Sequence, residues 1–355
     1  MVEEGAVTGA PAKLAGFPKP LGFSALLDGA ARLRPDRIAL ADSAEALTFE
    51  SFDARVAALA TQLVALDAGA SRALLLGGAS VGAVVLLFAA LRAGLDVALA
   101  PAHLDVDEAE AFARDVDASI MLADDSFVET LGEELVLTLA ASQPGMRVVC
   151  ALRPMDGVVC LDAQASGDAP SGPADGRVIL RDRDGAVRPC EQADLLAAAL
   201  DVATQAKIGT DQPVLCTMSP MSFAGLVTGP LAALLAGAQC RLHGPFGSRR
   251  LADEIARLTP CHLVTPARVA PLLRDARTIA PGACASIILV HADDAPARQF
   301  SGVWAPVLDF TPHAGVAYSL TQRAAEPHPL TRLGERMRAA ATSRSPDSQE
   351  THARD

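Results

Sequence analysis

Residues 72–101 read RALLLGGASVGAVVLLFAALRAGLDVALAP, and from Ala73 to Leu91 no residue is charged. A helix that is apolar all round has no face to offer water, so it must cross a membrane or be covered on every side by protein. Gly77-Gly78 interrupts the run after four residues, which divides it into a strand, a loop and a buried helix ended by Gly94. A second strand, LDVALAP, follows. Two strands joined through a helix are expected to lie parallel in one sheet. A second uncharged stretch, Gln212–Cys240, is broken by Pro220, Gly225, Gly229 and Pro230 and divides the same way. Neither stretch is expected to span a membrane.

Helix and strand patterns alternate along the rest of the chain. FSALLDGAARL places Phe23, Leu26, Leu27, Ala30 and Ala31 on one helical face, and Pro35 stops it. RIALAD is a short strand and SFDARVAALATQLVAL a long helix. AALRAGLDVAL, from Ala89, is echoed by AALLAGAQCRL, from Ala232. The fold class expected is α/β, two-lobed, with mixed or parallel sheets flanked by helices. At 355 residues the chain is long enough for about two domains. The Pro/Gly/Ser/Asp-rich stretch at 166–176 is the expected linker between lobes at 21–165 and 177–325. Residues 1–20 form a loose lead-in, and 326–355 a partly disordered tail.

Composition narrows the function classes. A net charge of −12 opposes broad contact with nucleic acid or an anionic membrane. The seven cysteines are never closer than ten positions, which gives neither metal-ligand spacing nor a disulfide framework; reduced thiols, a cytoplasmic location and no metal are expected. The N-terminus lacks the layout of a signal peptide. Lysine occurs only at 13, 19 and 207, so no late lysine is available for catalysis. His103, His243 and His262 read as surface or satisfied histidines, DVDEAEAFARDVDA as a solvated acidic helix face, and Trp304 as packed against Phe300 and Val307.

RPDRIALAD followed by ALTFESFDARVAALATQLVAL, then residues 72–101, then PMSFAGLVTGPLAALLAGAQCRL, LTPCHLVTPARVAPLL and ASIILVHADDAPA, occur in one colinear order to about Gly315. In that order the chain resembles the N-terminal domain of the adenylate-forming (AMP-binding) acyl-CoA synthetase superfamily, over about 290 residues. The resemblance implies the first two subdomains of an acyl-adenylate synthetase. It also implies ATP with magnesium, and coenzyme A or a carrier thiol, as cofactor and partner if the family's activity is retained.

The family's chemical motifs are replaced. Its phosphate loop, T-S-G-T-T-G-x-P-K-G, falls on RDRDGAVRPCEQADLLA. There Asp184 precedes Gly185, Arg188-Pro189 survive, and Cys190 stands where the lysine would be. Carboxylates at Asp182 and Asp184 would face phosphate with like charge. The glycine loop that packs on adenine falls on VHADDAP, and the Y-G-x-T-E motif on DFTPHAG, without its acid. The resemblance further implies that a third, barrel-like portion, the ribose-binding Asp and the lysine-bearing C-terminal domain are lacking. What it leaves is a possible acyl or adenine pocket at Ser222, Phe223, Gly225, His291, Asp293, Phe310, Thr311 and His313.

The expectation is therefore a degenerate, pseudoenzyme-type relative, in fatty acid metabolism, that binds an acyl group, an acyl carrier or a protein partner, or forms a homodimer, without adenylating. One alternative is a subunit of a split ATP-dependent carboxylate ligase. Another is a serine hydrolase, because Gly78–Gly82 matches G-x-S-x-G between a strand and a helix; Ser80, Asp293 and His313 would then be its triad, with His291 and Asp309 as other pairings. Ser80 as a helix cap is the structural alternative.

Overall fold

The computed structural model describes residues 7–9, 22–66, 72–101, 104, 106–162, 176–182, 185–244, 246–275, 279–280, 282–292 and 305–323. His103, Arg183, Asp184, Asp293, Trp304, the tail at 326–355 and all of the expected linker except Gly176 lie outside them.

Two sheets carry the fold. In the smaller one, strands Arg72–Gly77 and Asp96–Pro101 are parallel, with Arg72 opposite Asp96, as the intervening helix requires. Strands Ile120–Ala123, Val148–Ala151 and Val159–Cys160 continue it on one side, and Val178–Arg181 and Val187–Cys190 on the other. The larger sheet has nine strands, with a parallel centre from Val307–Pro312 through Cys284–Val290, Cys261–Pro266, Val214–Cys216 and Cys240–Leu242 to Ile38–Ala41. Antiparallel strands close its edges: Ala46–Thr48 on one side, Tyr318–Gln322 and Val7–Gly9 on the other.

The sheets do not follow the expected split at 166–176. Ile38–Ala41, early in the chain, pairs with Cys240–Leu242, while Val178–Arg181, after the linker, pairs with Asp96–Pro101 in the smaller sheet. Strand pairing is decided by which apolar faces meet, and not by the composition of the stretch between them. The lead-in is corrected too, since Val7–Gly9 is an edge strand paired with Tyr318–Leu320.

Helix Val81–Arg92 is buried along its whole length. Its core is shared with Leu75, Val97 and Leu122 of the smaller sheet and Val214, Val264 and Leu308 of the larger one. It sits among helices Phe23–Leu33, Phe49–Leu66 and Gln192–Gln205 between the sheets. Alternation along the strands then loads the outer faces: Leu74 and Leu76 point to helices Val106–Val116, Asp125–Leu131 and Glu133–Ala141, and Cys261 and Leu263 to Ser248–Leu258. Each fully buried Val, Leu or Phe contributes about 1.5–3 kcal/mol. The one charge on the central helix, Arg92, is 8% exposed and is held by Asp53 at 2.6 Å. No helix among the described residues is long and apolar enough to cross a membrane.

The echoed segments end their helices alike. Gly94 has φ +88° and Gly237, the C-cap of Ala232–Ala236, φ +65°, a left-handed turn that glycine adopts without steric cost.

His262 and His243 are not surface residues, since each is 1% exposed. His262 Nδ1 lies 2.8 Å from Ser286 Oγ, and its Nε2 has no described partner. Burial pushes the imidazole down to about 4. Below pH 6.5 the unfolded chain takes up a proton that the folded chain refuses until about pH 4, so stability falls as pH drops through that window, by up to about 3 kcal/mol. Urea midpoints measured from pH 7 to pH 4 are expected to fall more steeply for the native chain than for His262→Gln; equal slopes would contradict this assignment.

Candidate functional site

In open parallel sheets, ligands bind beyond the carboxyl ends of the strands. At that end of the larger sheet His291 follows Cys284–Val290 and His313 follows Val307–Pro312. The strands lie side by side with Val290 opposite Phe310, and the His291 amide donates to the Phe310 carbonyl at 2.9 Å. Thr311 pairs with Ser319, and the His313 amide closes the following turn on Ala317 at 2.8 Å.

Ser222 caps helix Phe223–Leu226. Its Oγ accepts from the Gly225 amide at 3.2 Å and donates to the Ser219 carbonyl at 2.9 Å. Any Cβ on Gly225 would stand 1.9 Å from that carbonyl oxygen, so only glycine lets the helix start this close to the preceding turn. The helix continues through Pro230 by a π-helical stretch, Val227–Leu231, which a proline inside a helix favours because it cannot donate the regular backbone bond.

The cap aims Phe223 at the sheet. Its ring centroid lies 5.9 Å from Phe310 and 6.4 Å from Tyr318, and Phe310 stacks on Tyr318 at 5.3 Å and 11°. All three rings are buried. The structure thus brings Phe223, on the helix that Ser222 and Gly225 start, against Phe310 and Tyr318; His291 meets Phe310 only through its backbone amide, Thr311 adjoins it in the strand, and aromatic rings fill the space between helix and sheet. Tyr318 was not legible as a site residue, although it is the sole tyrosine of the chain. Its hydroxyl donates to Asp201 on helix Gln192–Gln205.

On the opposite face of the sheet from the rings, since Asp309 alternates with Phe310, His291 and Asp309, one of the pairings weighed for the hydrolase, do meet, joined by Arg323. Asp309 accepts from Arg323 Nε at 2.6 Å and Nη2 at 2.7 Å, and its Oδ1 lies 2.6 Å from His291 Nε2. Burial alone would raise the Asp309 carboxyl, but hydrogen bonds and charge from Arg323 and His291 outweigh it and hold the group below its ordinary value. An ionised carboxylate only accepts, so His291 carries its proton on Nε2. A similar group lies at the end of Cys240–Leu242, where His243 Nδ1 meets Glu254 at 2.5 Å and Arg241 binds the same carboxylate at 3.0 Å.

Ser80 lies at the end of Arg72–Gly77 in the smaller sheet. Its Oγ donates to Asp124 Oδ2 at 2.7 Å and accepts from the Ala83 amide at 3.1 Å, which makes it the N-cap of the buried helix. Asp124 is 1% exposed, and burial raises its carboxyl against the opposing hydrogen bonds from Ser126 and Ser80. No histidine is among the described partners of Ser80.

The stretch corresponding to the phosphate loop runs as a strand, a glycine-bearing turn and a helix, with a second strand added between turn and helix to make a hairpin. Val178–Arg181 pairs antiparallel with Val187–Cys190 before helix Gln192–Gln205 begins. The turn is closed from within by Asp182, whose side chain is 3% exposed. Its Oδ1 accepts from the Ala186 amide at 2.9 Å and its Oδ2 from Arg188 Nε at 2.6 Å. Gly185, at φ +80°, donates to the Asp182 carbonyl at 3.1 Å. Cys190 is buried, and its thiol is pushed up to about 11 by burial and the nearby Asp194, so it stays a neutral thiol where a lysine would supply charge. Arg188 Cδ stands 3.6 Å from where a Cβ on Gly315 would be, which places this hairpin against the turn after Val307–Pro312.

The sole tyrosine supplies a direct probe of the site. Burial and the Asp201 carboxylate both raise the Tyr318 phenol. Phenolate absorbance is expected to appear well above the ordinary value of about 10 and to move back toward it in Asp201→Asn; ionisation near 10 in the native chain would contradict the buried, Asp201-bonded hydroxyl.

Comparison with known proteins agrees with this layout. Residues 27–177 match the family described as AMP-binding enzyme. Among curated proteins none is significantly similar in sequence. Among solved structures, apo MbtA of Mycobacterium smegmatis is similar with a TM-score of 0.68 at 19% identity, over 83% of this chain and 57% of that one. The anthranilate CoA ligase AuaEII, in complex with anthranoyl-AMP, gives 0.70 at 14%, over 84% and 61%. The N-terminal domain of FACL13 from Mycobacterium tuberculosis gives 0.67 at 15%, over 82% and 76%. The chain thus spans less than two thirds of the first two. Residues 27–177 are thus similar to the AMP-binding enzyme family, and the chain shares the two-sheet α/β fold of these solved structures.

Proposed function

We propose that this protein is a degenerate relative of the AMP-binding ligases that binds an acyl group, an acyl carrier or a protein partner and does not itself adenylate a carboxylate. The observation that carries this reading is the internal closure of the turn at 182–188. In the family that position cradles phosphate with backbone N–H groups, hydroxyls and a lysine. In this chain the Ala186 amide and the Arg188 guanidinium are both turned onto the Asp182 carboxylate. A triphosphate does not fit these residues. It would have to displace Arg188 from Asp182 and then lie beside a carboxylate, and like charges at contact distance repel by on the order of a few kcal/mol even when screened.

The acyl side of the site is what the reading retains. Support for it is the contact of Phe223, on the helix that Ser222 caps, with Phe310 near the carboxyl end of the larger sheet, and an apolar site of this kind would not depend on the phosphate machinery. Asp293, which the same reading places at the pocket, lies outside the described residues.

The split-ligase reading rests on the same fold and differs in one outcome. ATP–pyrophosphate exchange, measured on the isolated chain with a panel of aliphatic and aromatic carboxylates, is expected to stay at background. Exchange by the isolated chain would overturn the degenerate reading, and exchange that arises only when a second polypeptide is added would favour the split ligase.

A further inference from the structure

The chain has seven free cysteines, and strand register decides which of them can meet. Cys160 stands opposite Ala151 and Cys150 opposite Val159, so those two side chains leave opposite faces of the sheet. Cys240 stands opposite Val214, and Cys216 opposite Leu242, which sets that pair on a diagonal of roughly 7–8 Å. Cys261 and Cys284 are directly opposed, on adjacent parallel strands. Neighbouring strands run about 4.8 Å apart, inside the range of about 4.4–6.8 Å over which two Cα atoms can be joined by a disulfide.

Side-chain direction agrees with the register. Both thiols enter the same outer core, with Leu251, Ile255 and Ile287. Their interaction with each other lowers the Cys261 thiol and raises that of Cys284. Each residue opens its strand, and exposed residues lie close before it in the chain, at Thr259-Pro260 and at Gly282.

We propose that Cys261 and Cys284 form a reversible disulfide, a modification site for small peroxides at the amino end of the larger sheet. The Cys261 thiolate attacks one peroxide oxygen, the O–O bond breaks, and the departing oxygen leaves as water or alcohol after taking up a proton. The Cys284 sulfur then attacks the resulting sulfenic acid and releases water as its own proton is lost. Two thiols are oxidised by two electrons and one peroxide is reduced. A dithiol reverses the change by exchange. The bond would clamp strands Cys261–Pro266 and Cys284–Val290 at the end opposite His291, so this inference is independent of the acyl-binding reading.

The experiment treats the full chain with hydrogen peroxide, removes the excess, alkylates the remaining thiols under denaturing conditions and maps the peptides without reduction. A Cys261–Cys284 cross-linked peptide is expected. It should be lost in Cys284→Ser, kept in Cys216→Ser and reversed by dithiothreitol, and the oxidised protein should melt several degrees higher. The proposal is overturned if both thiols remain alkylatable while exposed Cys160 is oxidised, or if Cys261 proceeds to sulfinic acid without a cross-link. Mapping the native chain decides the matter even if Cys284→Ser does not fold.

Discussion

A helix without a polar face cannot lie on a surface, and Val81–Arg92 is buried at every position. Covering it takes apolar neighbours on all sides, which the fold supplies with three more helices and the inner faces of two sheets. Once that layer exists, period-two alternation loads the outer faces of the strands as well. Leu74 and Leu76 need the helices of the smaller sheet, and Leu263 and Ile287 need those of the larger. The layered architecture follows from one segment that can neither be exposed nor lie between fewer partners. Ser80 and Asp124 belong to the same constraint: the serine caps the helix where its orphan amides would otherwise be buried.

This layout places the carboxyl ends of the parallel strands where a ligand could meet them, and there the polar groups are already engaged with one another. Asp309 is saturated by Arg323 and His291, Glu254 by Arg241 and His243, and Asp182 by Arg188 and the Ala186 amide. Pairing of this kind fixes side chains and lowers the cost of burying charge. It also takes away the donors that a polyanionic ligand would need. An apolar or weakly polar ligand loses nothing by it.

Much of the fold was legible because it depends on local chemistry. The glycine pair at 77–78 divides an apolar run, the parallel pairing of Arg72–Gly77 with Asp96–Pro101 follows from the helix between them, and the echoed AG at 93–94 and 236–237 ends both helices with left-handed glycines. Long-range pairing was not legible. Nothing within Ile38–Ala41 says that its neighbour is Cys240–Leu242, nearly two hundred positions later. The strand Val187–Cys190 was hidden for a different reason: Pro189 argues against a strand, and it is tolerated because this strand forms the sheet edge. At the site, Phe223 and Phe310 were legible through the family likeness, whereas Arg323 and Tyr318 sit on a strand end with no motif around them and reach the site only through the hairpin with Val307–Pro312.

If the Asp182-closed turn excludes a triphosphate, as we propose, calorimetric titration of the native chain with magnesium ATP gives no saturable heat. Saturable, magnesium-dependent binding that weakens in Arg188→Ala would contradict it, because it would show that the guanidinium serves phosphate and not Asp182.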